Sequence, residues 1–340
     1  MTPLIEKRLP AAAVLVKAID GLDSNTVTPD LIQDLLKQWP DEDGTSFDDL
    51  LSEAKSAPTT KWEKNETYFI ELGKKKQFHG RLTMFQFMLQ FDATLATITT
   101  KQQNFLAAFQ SLRTTSQLKT LLGAILKFGN CMNAGNENRC RADGFVLDAL
   151  AKTQTFKDEN QVSILHTICK TLSEADPTFK DFKSHFDALL SSAKYDINDT
   201  KAGCDKLAGE IEGHLSRFES LKKADPAITG VAFGQKVPTF LKGAQGKVNE
   251  VLNKQGQVRE AYGKTCDYFM LEKDDEKRTK SDKFCKFFAD YFEDAHRALA
   301  AKEQPTTRAS ATSPRPRPGG AARAKAAFLG ELMAQQAAKK

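Results

Sequence analysis

The chain has 340 residues, 40% hydrophobic and 27% charged, with a formal net charge of +5 at neutral pH. Residues 301–340 hold eight lysines and arginines against two glutamates, or +6, which leaves 41 basic and 42 acidic side chains, or −1, in the first 300. The body therefore makes no electrostatic case for nucleic acid, no apolar run of about 18 residues argues for a membrane span, and six scattered cysteines without a CxxC pair fit reduced thiols better than a disulfide frame or metal site.

The start, MTPLIEKRLP, lacks a charged region followed by an apolar one, so a soluble, cytoplasmic protein is expected. Alternating β-branched runs are missing, and long helices are the default. The first segment predicts two short helices, one through Val14, Leu15 and Ile19 and one from Leu31 to Trp39, with Thr28 as cap and Pro29 at its first position. WEKNETYFIELGKKKQFHGRL predicts a third helix leading into FQFMLQF, where Phe85, Met88, Leu89 and Phe91 keep helical spacing.

Residues 118–150, LKTLLGAILKFGNCMNAGNENRCRADGFVLDAL, are the most informative stretch. Leu118, Leu121, Leu122, Ile125 and Leu126 predict a helix buried on one face up to Phe128. Gly129 and Asn130 tolerate the left-handed backbone that ends a helix, so the helix is expected to stop there. A polar loop through Asn133, Gly135, Asn136 and Asn138 follows, and Gly144 returns the chain to a second apolar stripe of Phe145, Leu147 and Leu150.

NQVSILHTICKTLSEADP then predicts a helix closed by Pro177. From Phe182 through Phe186, Leu189, Ala193, Ile197, Cys204, Leu207, Ile211, Leu215 and Phe218 to Leu221, apolar residues step by threes, fours or sevens, the seam of helices lying along one another. Near the end, Phe284, Phe287, Phe288, Tyr291 and Phe292 share one helical face and read as core. From Gln304 the composition turns to Pro, Arg, Ser, Ala and Gly, which buries too little apolar surface to fold.

Little in the chain suggests an enzyme. His79, His166, His185, His214 and His296 show no HExxH spacing, and there is no GxSxG elbow. GAQGK at residues 243–247 lacks the spacing and the hydroxyl of a phosphate loop and reads as an ordinary loop. No cofactor or metal is called for.

The 118–150 segment resembles the post region of the formin homology 2 domain, whose pattern GNxMN, short loop, GxAxGFxLxxL is met by Gly129, Asn130, Met132, Asn133, Ala142, Gly144, Phe145, Leu147 and Leu150. Cys140 replaces a usual glycine and Cys131 a usual aromatic residue, which marks a divergent member. Further likeness lies at Tyr68, Phe69, Leu72, Arg81, Leu82 and Phe87, and at Ile164, Leu165, His166, Ile168 and Pro177. Tyr268, Phe269 and Glu272 match a closing YFGE pattern in which Met270 stands for the glycine.

That resemblance implies an all-α, elongated architecture of knob, coiled-coil arm and post over residues 1–303, beginning at the knob without the lasso. A disordered basic tail, 304–340, would follow, with AAFLGELMAQQAAKK able to form a short amphipathic helix. It implies actin as the partner, in monomers and at filament barbed ends, with nucleation and processive association in a homodimer closed by an upstream lasso. KRLPAAAVLV would align Lys7 and Arg8 with the knob's basic pair and Val14 with its actin-facing isoleucine; Pro10 and Ala11 replace a polar pair, and Val14 could equally be plain core. LAKTQTFK would place Lys152 and Lys157 at the lysines of the post, Lys157 being the actin contact. Gly129, Asn130, Met132, Asn133, Gly144 and Phe145 would form the groove that receives the lasso. The other reading is a helical scaffold or peptide-binding protein, derived from such a domain, that has lost actin assembly.

Overall fold

The computed structural model describes residues 9–37, 39, 45–56, 61–137, 140–158 and 161–300, and every regular element among them is helical. In chain order these are α1 (Ala12–Gly21), α2 (Pro29–Lys37), α3 (Thr45–Ser56), α4 (Lys64–Gly73), α5 (Phe78–Thr114), α6 (Ser116–Met132), α7 (Ala149–Thr155), α8 (Ile164–Ala175), α9 (Asp187–Ser192), α10 (Ile197–Ala224), α11 (Ala232–Tyr268) and α12 (Ser281–Ala300). 3-10 turns occupy Pro177–Phe186 and Pro226–Gly230, and a single α-turn spans Glu276–Thr279. The all-α class expected from the sequence is what forms. Lys7, Arg8, Asn138, the boundary at residue 303 and the tail lie outside the described residues.

The described residues divide into two compact units, one within Met1–Thr100 and Lys201–Asn253, the other within Lys101–Thr200 and Lys254–Lys340. In the first, Thr28 Oγ1 accepts the Leu31 N–H at 3.3 Å and α2 starts at Pro29, as the capping pattern predicts. In α10, Cys204, Leu207, Ile211, His214, Phe218 and Leu221 alternate by three and four and are all buried, which is a coiled-coil seam. Val237, Leu241, Ala244, Val248 and Val251 repeat the pattern in α11. Phe87 of α5 joins both helices, its ring 4.6 Å from His214 and 6.3 Å from Phe240. Gly234 is obligatory, since a Cβ there would lie 2.0 Å from the Ile228 carbonyl oxygen.

The second unit buries Phe105, Phe109, Leu121, Ile125, Leu150 and Ile168 with the phenylalanine stripe of α12. Phe284, Phe288, Tyr291 and Phe292 are buried there, and the Phe186 and Phe292 rings sit 4.0 Å apart. A polar pair interrupts the apolar seam: Gln102 Nε2 donates to Gln255 Oε1 at 2.9 Å, and Gln255 Nε2 donates to the Ile197 carbonyl at 2.9 Å. Such a pair fixes helix register, because sliding either helix would bury unpaired amides.

Several expectations are corrected. The helix expected to run from Trp62 into the phenylalanine-rich segment breaks between α4 and α5, where Gln77 takes a left-handed φ of 50°. The lysine run there is tied to other elements: Lys75 pairs with Asp20 at 2.6 Å and Lys76 Nζ donates to the Ala224 carbonyl at 2.8 Å. The seam read from Phe182 to Leu221 is broken too, by the 3-10 turn and by residues 193–196, where Asp196 Oδ2 accepts from both the amide and hydroxyl of Ser281 at 2.9 Å. GAQGK is no loop but lies inside α11. Helix α3 has no counterpart among the elements that the sequence predicts.

Candidate functional site

Val14 and the remaining site residues belong to different units. In the first unit α1 turns Leu15 and Ile19 into the core and leaves Val14 50% exposed, so Val14 is no core residue. Both ends of the helix are tied down. Tyr68 Oη donates to the Pro10 carbonyl at 2.9 Å, and burial, reinforced by Glu71, pushes the Tyr68 phenol up to about 12. At the other end Asp20 accepts from Arg81 at 2.8 Å and from Lys75 at 2.6 Å. Arg81 is wholly buried, reaches Asp225 at 2.5 Å and lies over the Phe233 ring. A firmly held helix thus presents the Val14 side chain to solvent.

In the second unit α6 does not stop at Gly129 and Asn130. It continues to Met132, and neither residue is left-handed. Asn133 is the cap: its amide and its Nδ2 both donate to the Gly129 carbonyl, at 3.1 and 3.0 Å. Asn130 clasps the far end of the loop, Nδ2 donating to the Ala142 carbonyl at 2.9 Å and Oδ1 accepting the Ala142 N–H at 3.0 Å. That reciprocal pair brings Ala142 to the helix end, just before Gly144 and Phe145. Phe145 and Leu147 precede α7 rather than forming its first turn; Leu147 is buried and Phe145 is 36% exposed.

Lys157 follows α7 in a small hairpin. The Ile164 N–H donates to the Phe156 carbonyl at 3.0 Å, the Asp158 N–H to the Val162 carbonyl at 2.8 Å, and Lys157 bridges Ser163. Ser163 Oγ then caps α8 through the His166 N–H at 3.2 Å. A cavity of about 200 Å³ opens here, lined by Phe128, Met132, Phe156, Val162 and Ile164 together with Lys157, Asp158 and Thr167. Met132, expected beside Gly144 and Phe145, therefore shares a cavity with Lys157, and those two residues are not among its lining.

A second cavity, about 230 Å³, is lined by Asp196, Asn198, Arg259, Tyr262, Arg278 and Ser281 among others. Arg278 donates to Asp267 and to the Leu271 carbonyl, Arg259 to Asn198, and Asp196 holds Ser281. Burial pushes the Cys169 thiol up to about 12, which keeps it protonated and unreactive. Among the described residues no three His, Cys, Asp or Glu side chains are placed to hold a metal, and no helix is long and apolar enough to cross a membrane.

The family model of the formin homology 2 domain matches residues 5–295, which takes in both units and every one of these sites. The chain belongs to the formin homology 2 domain family. It is 28% identical to Formin-G of Dictyostelium discoideum over 248 residues, 67% of this chain and 23% of that protein. Against Formin-like protein 19 of Arabidopsis thaliana it is 27% identical over 256 residues, 73% of this chain and 52% of that protein. Formin-like protein 3 of Oryza sativa subsp. japonica shows 24% over 262 residues, 75% and 20%. The chain thus spans about half of one of these relatives and about a fifth of the other two.

Within this formin homology 2 domain, sequence reasoning missed two features. In the sequence Arg81 is only one position of the family likeness, and its buried place between two aspartates has no local signature. Phe156 is 60% exposed and lines the Lys157 cavity; an aromatic residue in an otherwise polar segment was the available signal.

Proposed function

We propose that the protein binds actin in the manner of a formin, nucleating filaments and staying with growing barbed ends. The observation that supports this reading is Val14: the residue that the resemblance aligns with the knob's aliphatic contact is half exposed on a helix anchored at both ends. Exposed apolar surface on a rigid support is what a hydrophobic cleft on a partner recognises. Lys157, also exposed, supplies a cation for acidic groups on the same partner, which speeds encounter more than it strengthens the final complex.

Assembly needs two copies, each holding actin subunits in filament-like geometry and so raising their effective concentration. Gly129, Asn130, Met132, Asn133, Gly144 and Phe145 are the proposed receptor for the lasso of a second copy. The proposed setting is the cytoplasmic actin cytoskeleton. The test is barbed-end elongation by a dimer carrying a family-type lasso and linker ahead of Met1. Val14→Asp and Lys157→Asp should each lower barbed-end occupancy, with circular dichroism unchanged. If both variants elongate filaments as the parent does, the scaffold reading replaces this one.

A further inference from the structure

Stability alone does not account for the burial of Arg81. The side chain is wholly buried, and a buried ion pair is often no more stable than apolar residues packed in the same volume. What a guanidinium adds is direction, since its donors form a rigid planar fork. Nη1 donates to Asp20 Oδ1 at 2.8 Å, Nη2 to Asp225 Oδ2 at 2.5 Å and Nε to the Lys76 carbonyl at 3.3 Å, and the group lies over the Phe233 ring. Three elements of the first unit meet at this one plane: the last turn of α1, the first turn of α5 and the turn between α10 and α11.

Val14 stands on the same short helix as Asp20, six residues earlier, which is about 9 Å along the axis and about 120° around it. Leu15 and Ile19 hold α1 against the core, but apolar burial is non-directional. At the start of α1 the Tyr68–Pro10 hydrogen bond is a single point about which the helix can pivot. A swing of about 10° there would move Val14 by about 1 Å, and a gap of that size forfeits much of an apolar contact. The Asp20–Arg81 pair removes this freedom, and Asp225 fixes the same guanidinium to the corner between α10 and α11. We infer that Arg81 is a positioning residue for the proposed actin contact: through Asp20 on one side and Asp225 on the other, it sets the direction in which α1 presents Val14. The inference rests on the actin reading and deepens it by a buried residue that stands behind the contact.

The experiment measures the affinity of the full chain for actin by anisotropy, with circular dichroism and a urea midpoint for every variant. Val14→Ala should weaken binding by roughly five- to tenfold, through the lost methyl groups. Asp20→Ala and Asp225→Ala each leave Arg81 with one carboxylate, and each should weaken binding about fivefold. Asp20→Asn keeps an oxygen acceptor for Nη1 and should recover most of that loss. The stability control is Val248→Ala, buried in the α11 seam about 22 Å along that helix from Phe233. It should lower the urea midpoint yet leave affinity within about twofold of the parent. Combined with Val14→Ala, Asp20→Ala should add less than about a twofold loss, because the contact it orients is already gone.

An affinity for Asp20→Ala within about twofold of the parent, while Val14→Ala binds weakly, overturns the positioning role and leaves the actin reading standing. Equal affinity losses in Asp20→Ala and Val248→Ala trace the effect to stability and overturn it too. So does a loss in Asp20→Ala that is as large with Val14→Ala as without it, since the network then acts somewhere other than Val14. Should Asp20→Ala be too unstable to measure, Asp225→Ala decides by the same comparisons. If Val14→Ala binds actin as the parent does, or the parent does not bind, Val14 is no actin contact, and the inference falls together with that part of the reading.

Discussion

Arg81 Nη1 lies 2.8 Å from Asp20 Oδ1, and the guanidinium is completely buried while doing so. With Asp225 on its other side, this one side chain ties the end of α1 to α5 and to the turn that follows α10. Removing one partner of a buried pair leaves an uncompensated charge, so Arg81→Met should cost about 3 to 5 kcal/mol in urea denaturation. Lys201→Ala, which breaks the solvent-exposed pair with Asp205, should shift stability by no more than about 0.5 kcal/mol.

His214 occupies a seam position in α10, 7% exposed against Phe87, and burial with a smaller push from Arg217 lowers its pKa from 6.5 to about 4. The unfolded chain therefore binds this proton before the folded one does. Stability should be fully present above about pH 7 and fall as pH drops through 6.5 towards 4, by at most about 3 kcal/mol over the window. His214→Leu should flatten that dependence, measured as urea midpoints from pH 7.5 down to pH 4.5.

What was legible in the sequence is what local periodicity decides. Leu15 and Ile19 in α1, Thr28 before α2 and the phenylalanine stripe of α12 all fall where spacing or capping puts them. The break before α5 was not legible, because it depends on Lys75 and Lys76 reaching partners 55 and 148 residues away. Nor was the course of α6 past Gly129: a glycine-asparagine pair can end a helix, but Asn130 is drawn instead to Ala142, twelve residues on. In α11 the two glycines of GAQGK suggested a loop, yet Leu241, Ala244 and Val248 keep the seam spacing across them and tertiary burial wins. Motif positions at the site were legible, but not their grouping. Met132 joins Lys157 because a hairpin, invisible in either motif, carries Phe156 and Lys157 to one cavity with the end of α6.

Asn130 makes the loop at the end of α6 testable. Asn130→Asp keeps an acceptor for the Ala142 N–H but loses the donor to its carbonyl. The expected cost is about 1 kcal/mol, felt locally. Hydrogen exchange should speed up at Ala142 and Asn133 and stay unchanged in α12.

Met270 stands at a left-handed φ of 54°, 88% exposed, just after α11. An L side chain is disfavoured there by about 1 to 2 kcal/mol, and glycine gives back part of that through the entropy of the unfolded chain. Met270→Gly should therefore stabilise the protein by about 0.5 to 1 kcal/mol, read as a rise in the thermal midpoint. Met270→Val, β-branched at the same φ, should lower it.

Val14 offers the most direct separation of binding from folding. Because it is 50% exposed on α1, its substitutions should leave the urea midpoint within about 0.5 kcal/mol of the parent. Val14→Ile adds one methylene to a proposed apolar contact, worth about 0.8 kcal/mol, or roughly a fourfold gain in actin affinity. Val14→Asp would carry a carboxylate into that contact without a counter-charge and should abolish barbed-end residence. Elongation followed filament by filament, with the lasso-bearing dimer, reads both directions at once. A graded order of Ile above Val above Asp at constant stability ties the effect to apolar contact at this side chain, whereas equal residence times for all three remove Val14 from the actin surface.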